Sequence, residues 1–267
     1  MERVEKTHHD YLSVIGGTHA TAGDYKNKRW SQYYHSTYTH IVDRMIGDRS
    51  GTVLDVGTSH GHWLPFLKQK GFSVLLGVEL DPERAKLAKQ SGYHEVYACD
   101  AAQIPHPSET IDVAISNDVF VHILRIEDKI AVLREVERLL KPGGIFILNH
   151  PMSKAFNFKG YHVHEYCSFL SLHELVTLVL NNTDFLISDM KPTYYHFRDS
   201  RPGFLARWAR HFIEVPLAVK LLFYLDYLNA RNLPLEDSDV VYVKLIKRNS
   251  DTIAPGAGRG SVSKASR

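Results

Sequence analysis

The sequence predicts an α/β fold, a doubly wound sheet of seven strands with helices packed on it, and three observations lead there. The stretch Val53-Leu-Asp-Val-Gly-Thr-Ser-His-Gly-His-Trp63 passes from an apolar run through a glycine-bearing turn into a helix-forming segment. Apolar runs and amphipathic stretches then alternate from Gly51 to Asn149, a pattern that requires parallel pairing through right-handed crossovers. Polar or glycine residues recur where the apolar runs end, and in such a sheet the ligand crevice lies outside those ends.

Composition narrows the classes. With 267 residues and 44% hydrophobic content, the chain is sized for one core with additions rather than two domains. A net charge of +2 is too weak a field to select a polyanion, so no nucleic acid partner is expected. Two cysteines, Cys99 and Cys167, make no disulfide framework. The charged start Met-Glu-Arg-Val-Glu-Lys lacks the apolar run of a signal peptide, and the expected compartment is the cytoplasm. Sixteen histidines include the pairs His60/His62 and His162/His164, but neither has Cys or Glu at zinc-site spacing, and no metal site is expected.

Residues 1–24 are polar and aperiodic and read as a mobile arm. From Tyr25 to Gly47, Trp30, Tyr33, Tyr34, Tyr38, Ile41, Val42 and Met45 fall near helical spacing. Residues 25–50 therefore form a helical cap, lying either on the sheet or over the crevice. The glycine turn follows the first strand, and Trp63–Lys70 continues it as a helix. Phe72–Glu79 is the second strand. Glu79 stands about twenty residues beyond Gly57, where a nucleotide-binding unit puts a carboxylate on ribose hydroxyls. Asp81 and Pro82 open the next helix as cap and first residue, and Gly92 closes it.

Glu95–Asp100 and Ile111–Asn117 are the third and fourth strands. Asp55, Gly57, Glu79, Asp100 and Asn117 thus converge on one crevice, although Asp100 also suits a cap over residues 101–104. Ile126–Leu140 is an amphipathic helix with Ile126, Ile130, Leu133, Val136 and Leu140 on one face. It stops at Lys141-Pro-Gly-Gly144, ahead of strand five, Ile145–Asn149. Residues 51–150 make the cofactor-binding core.

Past Asn149 the pattern loosens. Leu172–Leu180 reads as a helix, and Phe185–Met190 and Val240–Ile246 as the last strands. Between them residues 191–236 form an insertion too long for a hairpin, read as a helical lid shaping a substrate pocket, with a homodimer surface as the plainer alternative. Within it, residues 204–228 are apolar, but charges and Pro216 exclude a membrane span. They make two helices at most, packed as a lid or touching a lipid or apolar acceptor. Residues 250–267 read as a disordered tail.

Val53–Gly61, Glu79, Asp100 and Leu140-Lys-Pro-Gly-Gly144 together resemble the successive motifs of class I S-adenosylmethionine-dependent methyltransferases, in particular the small-molecule, type 11-like group. The resemblance covers residues 51–150 and extends to a final strand pair like that family's reversed hairpin. It implies a Rossmann-like sheet with an antiparallel last strand and S-adenosyl-L-methionine as cofactor. By resemblance, Asp55, Gly57 and Gly61 line the methionine part, Glu79 holds the ribose, Asp100 with Ala101 meets the adenine, and Asn117 reaches the amino-acid end. Phe120 and His122 match the stretch under the transferred methyl. One departure is Ser59, where the family often has glycine.

A short-chain dehydrogenase is disfavoured, because no tyrosine has a lysine four residues later and the loop lacks G-x-G-x-x-G. Base amino-methylation of DNA would need an Asn- or Asp-Pro-Pro-aromatic run where Asn117-Asp-Val-Phe120 stands. The expectation is methylation of a small, partly apolar acceptor, at oxygen first and at nitrogen or carbon otherwise. A histidine general base serves it, His150 first and His122 second. The alternative is a non-catalytic partner or regulatory subunit that keeps the fold.

Overall fold

The computed structural model describes residues 38–152, 167–193, 221, 224, 228, 234–238 and 240–249. A π-helical turn, Tyr38–Val42, runs into a short helix α1, Asp43–Ile46. The strands are β1 Thr52–Val56, β2 Val74–Glu79, β3 Glu95–Ala98, β4 Ile111–Ser116, β5 Leu140–Pro151, β6 Phe185–Thr193 and β7 Val240–Lys247. The remaining helices are α2 Leu64–Lys70, α3 Pro82–Ser91, α4 Ile126–Leu139 and α5 Leu172–Asn182.

All seven strands form one sheet in the order β3-β2-β1-β4-β5-β7-β6. β1 to β5 pair in parallel, and β7 runs antiparallel to both β5 and β6. The order reverses between β1 and β4, which opens the crevice beyond Val56 and Ser116. Alternate residues of each central strand feed two separate cores. Leu54, Val56, Ala114, Phe146 and Leu148 face α4 and α5. Val53, Val113, Ile115, Ile145 and Ile147 face α1, α2 and Ala88 of α3. Burial on both faces explains why these strands read as unbroken apolar runs.

Local signals set the helix ends. The Asp81 side chain accepts from the N–H groups of Glu83 and Arg84, Pro82 takes the first position, and Gly92 ends α3. Ser171 and Glu174 make a reciprocal capping box on α5.

Several boundaries, and the buried face of α4, differ from the sequence reading. β5 begins at Leu140, and Lys141–Gly144 is an irregularity inside it, since Ile111 pairs with Leu140 but Val113 with Ile145. β6 continues to Thr193, so the insertion starts after 193 rather than at 191. Pro192 is tolerated there because β6 is an edge strand. The buried stripe of α4 is Lys129, Val132, Leu133, Val136 and Leu139. Ile126 is 40% exposed, and Leu140 already belongs to the strand.

Ile41, Val42, Met45 and Ile46 of the expected cap are buried against the sheet. Trp30, Tyr33 and Tyr34, the arm 1–24, His162 and His164, most of the insertion including nearly all of 204–228, and the tail 250–267 lie outside the described residues. Residues 221, 224 and 228 are helical, and the ring of Tyr224 lies 5.5 Å from that of His40. Among the described residues, no helix is long and apolar enough to cross a membrane.

Candidate active site

The turn after β1 is held from below. Gly57 and Thr58 donate their N–H groups to the Val78 carbonyl at 2.8 and 3.0 Å, which locks the turn onto β2. Gly57 has φ 79°, and a β-carbon there would stand 2.2 Å from Val119 Cγ2; only glycine meets both demands. Ser59 also adopts a left-handed backbone, φ 49°. Its N–H donates to Glu79 Oε2 at 2.8 Å, a bond that offsets part of the cost of that conformation. The serine is thus tied in its left-handed conformation to the end of β2.

Glu79, 9% exposed, also accepts the Asp81 N–H on Oε1 at 3.1 Å. A carboxylate offers about four acceptor positions, so two remain for hydroxyls outside the strand end. Beside it Asp55 is 1% exposed. The Tyr93 hydroxyl donates to its Oδ2, while Oδ1 is buried without a hydrogen-bond partner among the described residues. Burial pushes the Asp55 carboxyl up to about 7, the Tyr93 bond opposing and the Glu79 charge adding to the rise. An orphaned carboxylate oxygen in a site with a second acid fits a cationic ligand.

Beyond β3, the Asp100 carboxylate accepts the Ala102 N–H at 2.8 Å and so shapes its own loop. Ala98 pairs with Glu79, which puts Asp100 and the half-exposed Ala101 just past the same edge of the sheet. Glu135 and Arg138 of α4 anchor the far side of this loop, through the Ile104 N–H and the carbonyls of Ile104 and His106.

After β4 the chain makes a tight turn at Asn117–Val119 and a 3₁₀ helix, Phe120–His122. Asp118 has φ 57°, held by Asn149 Oδ1, which accepts its N–H at 2.6 Å. Phe120 is fully buried against Phe146, so its ring belongs to the core rather than to the crevice. Its carbonyl receives the ammonium of Lys129, itself fully buried. Burial pulls the Lys129 amine down to about 7, a nearby Cys167 opposing.

The two candidate bases differ sharply. His150 is fully buried inside β5, paired with Val241. Its Nε2 accepts the Leu170 N–H at 3.0 Å, so the neutral ring carries its proton on Nδ1 and has no lone pair to offer. Burial, with the Lys129 charge adding, drives its pKa down to about 3. His122 is half-buried at the end of the turn, its Nδ1 3.8 Å from Cys167 Sγ. The expectation of His150 as first base is thus at odds with its burial and its bond to Leu170, whereas His122 keeps partial exposure.

The structure brings Asp55, Gly57, Glu79, Asn117 and the neighbouring Gly61 to one end of the sheet and leaves Phe120 and His150 in the interior. Sequence reasoning missed Tyr93, Asp118, Lys129 and Tyr242. For Lys129 a signal existed: it lies three, four, seven and ten residues before Val132, Leu133, Val136 and Leu139, on the apolar stripe. Among the described residues, no group of three or more His, Cys, Asp or Glu forms a metal-binding cluster.

Residues 54–148 match the family model described as a methyltransferase domain. Over 116 residues the chain is 28% identical to tRNA (carboxymethyluridine(34)-5-O)-methyltransferase ALKBH8 of Macaca fascicularis, covering 43% of this chain and 17% of that protein. Over 195 residues it is 24% identical to sterol 4-C-methyltransferase strm-1 of Caenorhabditis elegans, covering 64% of this chain and 57% of that protein. The chain thus spans only part of these curated relatives. An S-adenosylmethionine dependent methyltransferase from Mesorhizobium loti superposes with a TM-score of 0.54 at 15% identity, covering 79% of this chain and 97% of that one; this is a likeness of fold. The matched segment is the one that carries the glycine turn and the strand-end acids, and over residues 54–148 the chain is similar to the methyltransferase domain.

Proposed function

We propose that this protein transfers a methyl group from S-adenosyl-L-methionine to a small, partly apolar acceptor, at a hydroxyl oxygen, with His122 as general base. The observation that carries the reading is the pair of acids at adjacent strand ends. Glu79 keeps two acceptor positions for the ribose hydroxyls, and Asp55 presents an unmatched buried oxygen toward a ligand that bears positive charge. Gly57 and Gly61 let the turn approach the cofactor's methionine part, Asp100 and Ala101 border the adenine, and Asn117 meets the amino-acid end.

When bound, the cofactor supplies a sulfonium methyl that needs no further activation. The protein's own work is to hold the acceptor in line with it and to take a proton. His122 accepts the proton of the acceptor hydroxyl as the new carbon–oxygen bond forms and the sulfonium carbon–sulfur bond breaks, leaving S-adenosylhomocysteine and an ether. The low net charge of +2 favours a small acceptor over a nucleic acid. The sterol enzyme among the relatives is consistent with an apolar one.

Calorimetric titration with S-adenosylmethionine tests the first half: micromolar binding, lost in Glu79→Ala, is expected. No binding at millimolar cofactor overturns the reading in favour of a non-catalytic partner that keeps the fold. Methyl-labelled cofactor offered with sterols, hydroxylated aromatics, amines and tRNA in separate reactions tests the second half. Label entering tRNA alone overturns the small-molecule assignment.

A further inference from the structure

A polar rung crosses three strands just beyond the crevice, and the chemistry above makes no use of most of it. Asn149 on β5 lies directly opposite Tyr242 on β7. On the other side Leu148 pairs with Ser116, so Asn117 continues the row. The Tyr242 hydroxyl donates to Asn117 Oδ1 at 2.5 Å, and Asn149 Nδ2 donates to the same oxygen at 3.1 Å. Asn149 Nδ2 also reaches Asp118 Oδ1 at 2.9 Å, while Asn117 Nδ2 reaches Asp118 Oδ2 at 3.0 Å.

Tyr242 and Asn149 are 2% and 1% exposed, and Val42, Trp63, Ile115 and Ile147 surround the recess that Tyr242 and Asn117 line. Packing alone would be met there by apolar side chains of the same size. The hydroxyl instead fixes the amide of Asn117, and Asn149 in turn holds the left-handed backbone of Asp118. Both bonds converge on the turn that seats Val119 against Gly57.

We infer that Tyr242 is a positioning residue for the amino-acid end of the cofactor: through its bond to Asn117 it sets the end of β4 at which that end of the ligand docks. The inference rests on the cofactor reading proposed above. Tyr242 acts through Asn117. A residue on the reversed, antiparallel part of the sheet thereby tunes a site built on the parallel part.

Tyr242→Phe removes the hydroxyl and keeps the ring. Two probes separate positioning from general damage: S-adenosylhomocysteine, which has the amino-acid end, and 5′-methylthioadenosine, which lacks it. Calorimetry is expected to show S-adenosylhomocysteine weakened roughly five- to tenfold, the size of one neutral hydrogen bond. Methylthioadenosine affinity should stay within about twofold, a change too small to reflect a lost hydrogen bond. Asn149→Ala, which releases Asp118, should give the same selective loss. Unchanged affinity for S-adenosylhomocysteine in Tyr242→Phe, with wild type binding normally, overturns the inference and leaves the cofactor reading standing. Equal weakening of both probes also overturns it, since that marks a structural role. A wild-type protein that binds neither overturns the cofactor reading and this inference with it.

Discussion

Val119 Cγ2 occupies the place where a β-carbon on Gly57 would have to stand, 2.2 Å away. The turn after β1 and the turn after β4 therefore interlock through the absence of one side chain. Gly57→Ala combines this overlap with a left-handed φ of 79°. A loss of about 2–4 kcal/mol of stability is expected, read as a lower urea midpoint. Adding Val119→Ala should restore the steric share only. A midpoint equal to wild type in the single variant would show that the turns are not coupled.

Asp55 supplies a pH signature. Its pKa is about 7 in the fold against an ordinary 3.8. The native state holds this proton more tightly than the unfolded chain does, so its contribution to stability falls as pH rises from about 4 through about 7. Asp55→Asn removes that fall. Its advantage over wild type should be nil at the acid end of the window and full above about pH 7, as followed by thermal unfolding between the two. Parallel curves for the two proteins would sink the assignment.

Lys129 titrates with the opposite consequence. Its amine lies at about 7 in the fold against 10.5 ordinarily, so the unfolded chain binds the proton more tightly. Wild-type stability should climb from about pH 7 toward pH 10.5 as the buried charge is relieved. Below that window the penalty is complete. The Tm of Lys129→Met relative to wild type should be higher at pH 6 than at pH 9, by about 2–6 °C. A difference independent of pH would mean that the Lys129 amine holds its proton as tightly in the fold as in the unfolded chain.

The two histidines separate by what each variant damages. His150→Ala leaves the Leu170 N–H buried without its acceptor and opens a cavity, at about 2–4 kcal/mol. Turnover per folded molecule should persist. His122→Ala should lower turnover about 10²-fold or more with little change in Tm. Lost turnover in a stable His150→Ala protein would return the base to position 150.

Much of the core was legible because its signals are local. The Asp81 cap, the Gly92 stop and the strand-end positions of Asp55, Glu79 and Asn117 each follow from turn chemistry and hydrophobic period within a dozen residues. What the sequence concealed depends on distant pairing. His150 reads as the first residue past a strand, yet pairing with Val241 of β7 extends β5 through Pro151 and turns the ring inward. The bond between Tyr242 and Asn117 joins residues 125 positions apart, and an aromatic in a strand reads only as packing. Lys129 was hidden by the assumption that charge marks the outer face of a helix.

The sheet order carries a further consequence for synthesis. Among the described residues β7 follows every other strand in the chain, yet it slots between β5 and β6 and delivers Tyr242 to the end of β4. A nascent chain that has exposed everything through β6 still lacks the strand that joins β6 to β5 and has no hydroxyl beside Asn117. Full grip on the amino-acid end of the ligand therefore has to wait for β7, so the cofactor binds a chain that includes this strand more tightly than one that stops short of it.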